Sequence, residues 1–237
     1  MLHVDNLSHQ ILKHISFKLE HNQNVTILGS NGSGKTTLAK AICHLIHNDS
    51  VTIEGQKIAL LSAKQRAQYI NFIPAKLGIY DEYLTVWDYL NLNIIQEKQS
   101  DHLHNVLELL GITHLKNKQC HKLSSGESAL LLIGGAMVHQ ALYTILDEPT
   151  ANLDQAKKVT VYQLLKNSPY FHNKIIITHD LNLAYKLRYN ILFLEEGKVQ
   201  YHGPCEPFFE QKHLKSCFGN AIKNIDGNFM VNYDETL

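Results

Sequence analysis

The chain has 237 residues, 44% of them hydrophobic, enough to bury a sizeable core near the upper size of one domain, so a single domain over residues 1–237 is expected. Lys plus Arg equals Asp plus Glu at 22 each, which excludes capture of nucleic acid or an anionic bilayer by net charge, and no nucleic-acid partner is expected. The longest apolar stretch, Leu130 to Met137, is far short of the roughly 20 residues of a membrane span, and no basic and apolar leader opens the sequence, so a cytoplasmic location is expected.

The opening segments Leu2 to Leu7 and His14 to Leu19 alternate apolar and polar residues, as a half-exposed antiparallel sheet does. Short β-like runs follow at Val25 to Gly29, Ile70 to Ile73, Tyr143 to Leu146, Ile175 to Thr178 and Ile191 to Glu195. They alternate with helix-like stretches at Lys35 to His47, Asp154 to Lys166 and Leu181 to Arg188. Near-continuous apolar strands belong in parallel sheets covered by helices on both faces. The predicted class is therefore α/β, a mostly parallel sheet with an antiparallel β subdomain at the N-terminus. Between Leu84 and Met137 only helical spacing is found (Val86, Leu90, Ile94; Leu103, Val106, Leu107, Leu110), which predicts a helical subdomain inserted at about 84–137. The tail from Gly203 reads as a turn, a short helix near Pro207 to Glu210, and small elements beyond it.

The four cysteines, Cys43, Cys120, Cys205 and Cys217, have no Cys-x-x-Cys spacing, in keeping with a reducing compartment. The 15 histidines are more than usual, but the Cys43, His44, His47 group and the His102, His104 pair fit no zinc pattern. Solvated histidines are the better reading.

The chemistry begins where Val25 to Leu28 runs into Gly29-Ser30-Asn31-Gly32-Ser33-Gly34-Lys35-Thr36 and then into a helical pattern. Strand, glycine loop, Lys-Thr and helix together are what a P-loop requires. Its glycines let successive N–H groups point at a β-phosphate, and the helix start adds its positive dipole end. Lys35 is predicted to reach the β- and γ-phosphates and Thr36 to offer a hydroxyl to Mg²⁺, with Thr37 completing the nucleotide contacts. On this motif alone the nucleotide is ATP or GTP.

Leu142 to Glu148 is an apolar strand ending in two carboxylates, which sets Asp147 and Glu148 at the carboxyl edge of the sheet, where such folds bind ligands. That is the place of a Walker B element. Asp147 is predicted to hold Mg²⁺ and Glu148 to polarise the attacking water as general base. Ile175-Ile176-Ile177-Thr178-His179-Asp180 brings His179 to the same edge as a candidate γ-phosphate sensor.

Leu123-Ser124-Ser125-Gly126-Glu127 precedes a helical pattern upstream of Asp147. With Asp147-Glu148-Pro149-Thr150, Ala151-Asn152-Leu153-Asp154 and His179, it resembles the ATP-binding cassette family over almost the whole chain. The resemblance implies a P-loop NTPase core with an inserted helical subdomain, and ATP hydrolysis with Mg²⁺. It also implies a head-to-tail homodimer in the ATP-bound state, in which Ser124 and Gly126 of one copy face the γ-phosphate held by another. Asp154 matches the family's dimer-contact loop, and His9 falls near the aromatic that stacks on adenine in many relatives. Leu61 to Ile70 and the tail from Gly203 to Gly219 look like ATPase subunits of bacterial iron-chelate, haem and cobalamin importers. The resemblance thus implies a subunit peripheral to the inner face of the membrane, driving a permease and, indirectly, served by a substrate-binding protein. The exposed-looking aromatics Tyr80, Tyr83 and Trp87 fall near where a permease would dock.

Several positions depart from the family pattern, among them Glu127, where glutamine is common. Ala75 stands where the family usually has a glutamine that touches Mg²⁺, and Gln68 precedes the strand, badly placed to substitute. Ser125 replaces a usual glycine, and Ser128-Ala129-Leu130 a run that is usually polar and basic. Ala75 also motivates an alternative, a nucleotide-gated interaction protein that hydrolyses slowly and acts on a cytosolic partner. A small-molecule kinase is a third reading, but nothing in it requires Leu123 to Glu127.

Overall fold

Apolar residues at successive positions of one strand point to opposite faces of a sheet, and the arrangement of this protein follows from that rule. The computed structural model describes residues 1–78, 81–95 and 102–233. Strands β3 (Val25–Leu28), β6 (Ile70–Ile73), β7 (Tyr143–Asp147), β8 (Asn173–Ile177) and β9 (Asn190–Glu195) are parallel. They are closed at one edge by antiparallel β10 (Lys198–Gly203), in the order β10-β9-β3-β8-β7-β6. Ile145, Ile175 and Ile177 face one core and Leu146 and Ile176 the other.

The first core joins the sheet to helix α1 (Lys35–Ile42) and to a second sheet of β1 (Leu2–His9), β2 (Leu12–Leu19), β4 (Val51–Ile53) and β5 (Gln56–Lys57), ordered β2-β1-β4-β5. The second core lies under helices α3 (Val86–Leu92), α4 (Leu103–Leu109), α5 (Ser125–His139), α6 (Gln155–Asn167) and α7 (Leu181–Leu187). A third, aromatic core packs α8 (Cys205–Phe208), α9 (Gln211–Phe218) and the hairpin β11 (Ile222–Ile225) and β12 (Asn228–Val231) against Leu28, Ile191 and Phe193.

The mixed α/β class is as expected, and local details differ for local reasons. Helix α1 stops at Ile42 rather than His47, because His44 turns to φ 54° and the Asn48 side chain donates to the Ala41 and Ile46 carbonyls, satisfying the helix end. Helix α2 (Ala63–Tyr69) buries none of its residues and so carries no apolar period, but a Ser62/Gln65 capping box starts it. Gln68 lies in this helix, ahead of β6. The tail helix α8 begins at Cys205, ahead of the expected Pro207, and a longer helix and a hairpin follow it. Tyr80 lies outside the described residues, Tyr83 is largely exposed, and Trp87 packs on the second core beneath the Lys116 ammonium, 3.9 Å from its ring centre.

Candidate functional site

Because β3, β8 and β7 are neighbours, their carboxyl ends deliver the P-loop, His179 and the two carboxylates to one edge of the sheet. The P-loop wraps tightly. A Cβ on Gly29 would lie 2.1 Å from the Leu194 carbonyl oxygen and 2.7 Å from Ser33 Oγ, so only glycine fits. Ser33 N–H donates to the Ser30 carbonyl at 3.2 Å, while the buried Ser33 hydroxyl has no protein partner. Lys35 is buried at the base of α1, and its Nζ donates to the Gly29 and Ser30 carbonyls, each at 2.8 Å. Burial pulls its ammonium below the usual lysine range, against the opposing pull of Glu148 and then Asp147. Ser30, Asn31 and Gly32 are on the exposed rim of the loop or close to it, and Thr37 is half-buried one residue beyond Thr36.

The carboxylates are held differently. Thr36 Oγ1 donates to Asp147 Oδ2 at 2.8 Å. Asp147 is 7% exposed, and its carboxyl is pushed up from the usual value first by burial and further by Glu148, with the Thr36 bond and Lys35 opposing. A hydroxyl and a carboxylate side by side are the hard oxygen donors that Mg²⁺ takes, so the pair fits that ion. Glu148 sits just past the strand end in the left-handed region at φ 51°, a conformation that costs free energy in a non-glycine residue and is typical of functional positions. It is pinned there, its N–H donating to the Ile177 carbonyl at 2.8 Å. Its Oε1 is 2.8 Å from His179 Nδ1 and its Oε2 accepts from Thr178 Oγ1 at 3.3 Å.

The remaining predicted residues are not all at this edge. Ser124 caps α5: its side chain accepts from Glu127 N–H at 3.2 Å, and Glu127 Oε2 accepts from Ser124 N–H at 2.8 Å. Gly126 is buried against the Asn152 carbonyl, so the turn touches the segment leading to Asp154, which caps α6 through Lys157 N–H at 2.9 Å. Among the described residues, no hydrogen bond or ion pair joins this turn to the P-loop. His9 ends β1 half-buried, and in the same hairpin Ile11 and Leu12 approach the P-loop, their methyls standing 3.1 and 2.8 Å from where a Cβ on Gly34 would lie. Ile11, 37% exposed, therefore flanks the loop beside the position expected for His9. Thr178 was likewise missed, its only sequence signal being its place before His179. Ala75 lines a small cleft with Asp147 and Glu148, so an amide at that position would face both carboxylates.

Comparisons with known proteins agree with this geometry. The profile of the ABC transporter family matches residues 12–151. An uncharacterised ABC transporter ATP-binding protein of Methanocaldococcus jannaschii is 28% identical, with 93% of this chain and 91% of that protein covered. The zinc import ATP-binding protein ZnuC of Wigglesworthia glossinidia brevipalpis is 32% identical, with 82% and 81% covered. Among solved structures, CbiO1 of Clostridium perfringens, part of the CbiONQ ABC transporter complex, superposes with a TM-score of 0.74 at 26% identity, over 91% of this chain and 92% of that one. A dimeric ATP-binding cassette in a post-hydrolysis state with ADP and Pi shares the fold, with a TM-score of 0.74 at 22% identity over 87% of this chain and 99% of that one. The chain belongs to the ABC transporter family, as an ATP-binding, ATP-hydrolysing subunit.

Proposed function

We propose that two copies of this chain close head to tail on two ATP molecules and that the cycle of closure and hydrolysis drives a separate membrane permease. The observation that carries this reading is the convergence of Lys35, Thr36, Asp147, Glu148 and His179 at the ends of three adjacent strands; in this reading the capped turn at Ser124 and Gly126, which among the described residues makes no hydrogen bond to them, meets the nucleotide of a second copy. In this reading the N–H groups of Gly29 to Thr37 cradle the phosphates, with the free Ser33 hydroxyl directed into the same loop. Lys35 exchanges its carbonyl partners for phosphate oxygens. Thr36 and Asp147 hold Mg²⁺, which when bound neutralises charge on the β- and γ-phosphates. Glu148 orients a water and takes its proton as it attacks, and His179 and Thr178 hold the Glu148 carboxylate in position. Ser124 and Gly126 contribute hydroxyl and N–H donors from the partner copy, and His9 with Ile11 flanks the adenine.

No helix among the described residues is long and apolar enough to cross a membrane, which supports a separate permease as the membrane component, with Tyr83 and Trp87 on its docking side. The Leu61 to Ile70 segment and the tail favour an iron-containing chelate delivered by a substrate-binding protein, and the likeness to a zinc import subunit supports a metal-bearing cargo. Uptake of labelled ferric chelate in a deletion strain, beside labelled zinc, tests this: loss of chelate uptake alone supports the reading, and unchanged uptake of both refutes the importer. Glu148→Gln tests the site. It should bind ATP, lose most turnover and accumulate a dimer by light scattering, whereas full turnover removes Glu148 as base. Ala75 favours a second reading, a nucleotide-gated protein acting on a cytosolic partner, and ATPase activity that no permease stimulates would select it.

A further inference from the structure

Lys118 has no part in the site described above, yet its ammonium is 2.9 Å from Glu127 Oε2, the same oxygen that accepts the Ser124 N–H at 2.8 Å. Its main chain is fixed at both ends, its N–H donating to the Leu115 carbonyl at 2.8 Å and its carbonyl accepting from Val86 N–H at 3.0 Å. The adjoining Thr85–Gln119 bridge ties the same segment to the start of α3. Lys118 is thus anchored to the surface that carries Tyr83 and Trp87 while its side chain ends on the turn that carries Ser124 and Gly126.

Charge gives this contact a purpose beyond helix capping. A carboxylate in the first turn of α5 stabilises the helix by opposing its positive dipole end. Facing a triphosphate, the same carboxylate is repulsive. Burial sharpens the conflict: the Glu127 and Lys118 side chains are 22% and 35% exposed, so the pair is screened less than two fully solvated charges would be. We infer that Lys118 is a positioning residue for ATP hydrolysis, which neutralises and orients Glu127 so that the Ser124–Gly126 turn meets the nucleotide of a second copy without an uncompensated carboxylate before the phosphates. This rests on the head-to-tail reading above. Lys122, exposed two residues before Ser124, makes no ion pair with Glu127 and serves as the matched control.

The test uses the full chain in a Glu148→Gln background, with Mg-ATP-driven dimerisation followed by sedimentation. An uncompensated unit charge near a surface nucleotide is worth on the order of tenfold per site, and a dimer has two sites, so Lys118→Met should weaken dimerisation about a hundredfold. Adding Glu127→Gln to Lys118→Met should restore it to within a few fold, Lys118→Arg should match the parent, and Lys122→Met should change it little. A merely structural lysine would not be rescued by removing the charge of its partner. Failure of Glu127→Gln to rescue, with Lys118→Arg folded and dimeric, overturns the inference, as does an unaltered Lys118→Met dimer. If the parent binds ATP and stays monomeric, the head-to-tail reading falls and the inference with it.

Discussion

Replacing Asp147 by Asn should make the nucleotide-free protein more stable while removing its response to Mg-ATP. Asp147 is 7% exposed, and the hydrogen bond its side chain accepts from Thr36 Oγ1 at 2.8 Å needs only an acceptor, which the Asn carbonyl oxygen supplies. What disappears is a desolvated charge beside the Glu148 carboxylate. A neutral isostere saves part of the cost of burying a charged group, about 1–2 kcal/mol where one hydrogen bond is kept. Lys35 loses one of two carboxylate neighbours, a smaller opposing effect because Glu148, the stronger of the two, remains. For a chain of this size, 1–2 kcal/mol raises the melting temperature by roughly 2–8 °C. The pH dependence has a definite sign. Burial first and Glu148 second raise the folded-state carboxyl above its ordinary 3.8, so the native charge withdraws stability as pH rises through that value. The gain of Asp147→Asn over the parent should therefore be largest at neutral pH and vanish as pH falls below about 3.8. Paired thermal scans of both proteins from pH 3 to 8, with and without Mg-ATP, measure it. A lower melting temperature for the nucleotide-free variant at pH 7, or a Mg-ATP-induced rise equal to that of the parent, would refute the assignment of this carboxylate.

Two further outcomes are expected. Ala75→Gln adds an amide to the cleft lined by Asp147 and Glu148 and should raise permease-stimulated ATPase activity several-fold; unchanged activity in reconstituted vesicles would mean that water already completes the Mg²⁺ shell. Gly29→Ala would force a methyl to within 2.1 Å of the Leu194 carbonyl oxygen, so it should cost about 1–3 kcal/mol in denaturant unfolding and weaken ATP binding at least tenfold, and a variant with parental affinity would contradict the tight loop.

The parts of the site legible in the sequence are those where one short segment fixes both backbone and chemistry. Glycine spacing and Lys35-Thr36 announce a loop whose shape is local, and an apolar run ending in Asp147-Glu148 announces a strand end. Three features stayed hidden because they arise between segments. Ile11 reaches Gly34 only through the fold of the β1–β2 hairpin, and Lys118 meets Glu127 only because its backbone is tied to Val86. The left-handed backbone of Glu148 is imposed by the neighbouring strand, through the Ile177 carbonyl. Helix α2 was hidden for another reason: its start is local, set by the Ser62 cap, and none of its residues is fully buried, so no apolar period is printed on the sequence.

In this structure the groups proposed to react satisfy one another, and under the proposed mechanism this constrains how catalysis begins. Lys35 is bonded to its own loop, Thr36 to Asp147, and Glu148 to His179 and Thr178. The last pair is the informative one. A neutral imidazole that donates Nδ1–H to Glu148 presents a lone pair, not a proton, at Nε2, and a lone pair repels a phosphate oxygen. His179 can therefore contact a γ-phosphate in only two ways: by carrying a second proton while keeping Glu148, or by releasing Glu148 and turning its donor to the phosphate. The first leaves a cation beside both Glu148 and the phosphate; the second frees Glu148 Oε1. His179→Ala tests the contact itself: it removes the ring from both Glu148 and the phosphate, so turnover should fall while ATP binding persists, and parental turnover would remove His179 from the γ-phosphate.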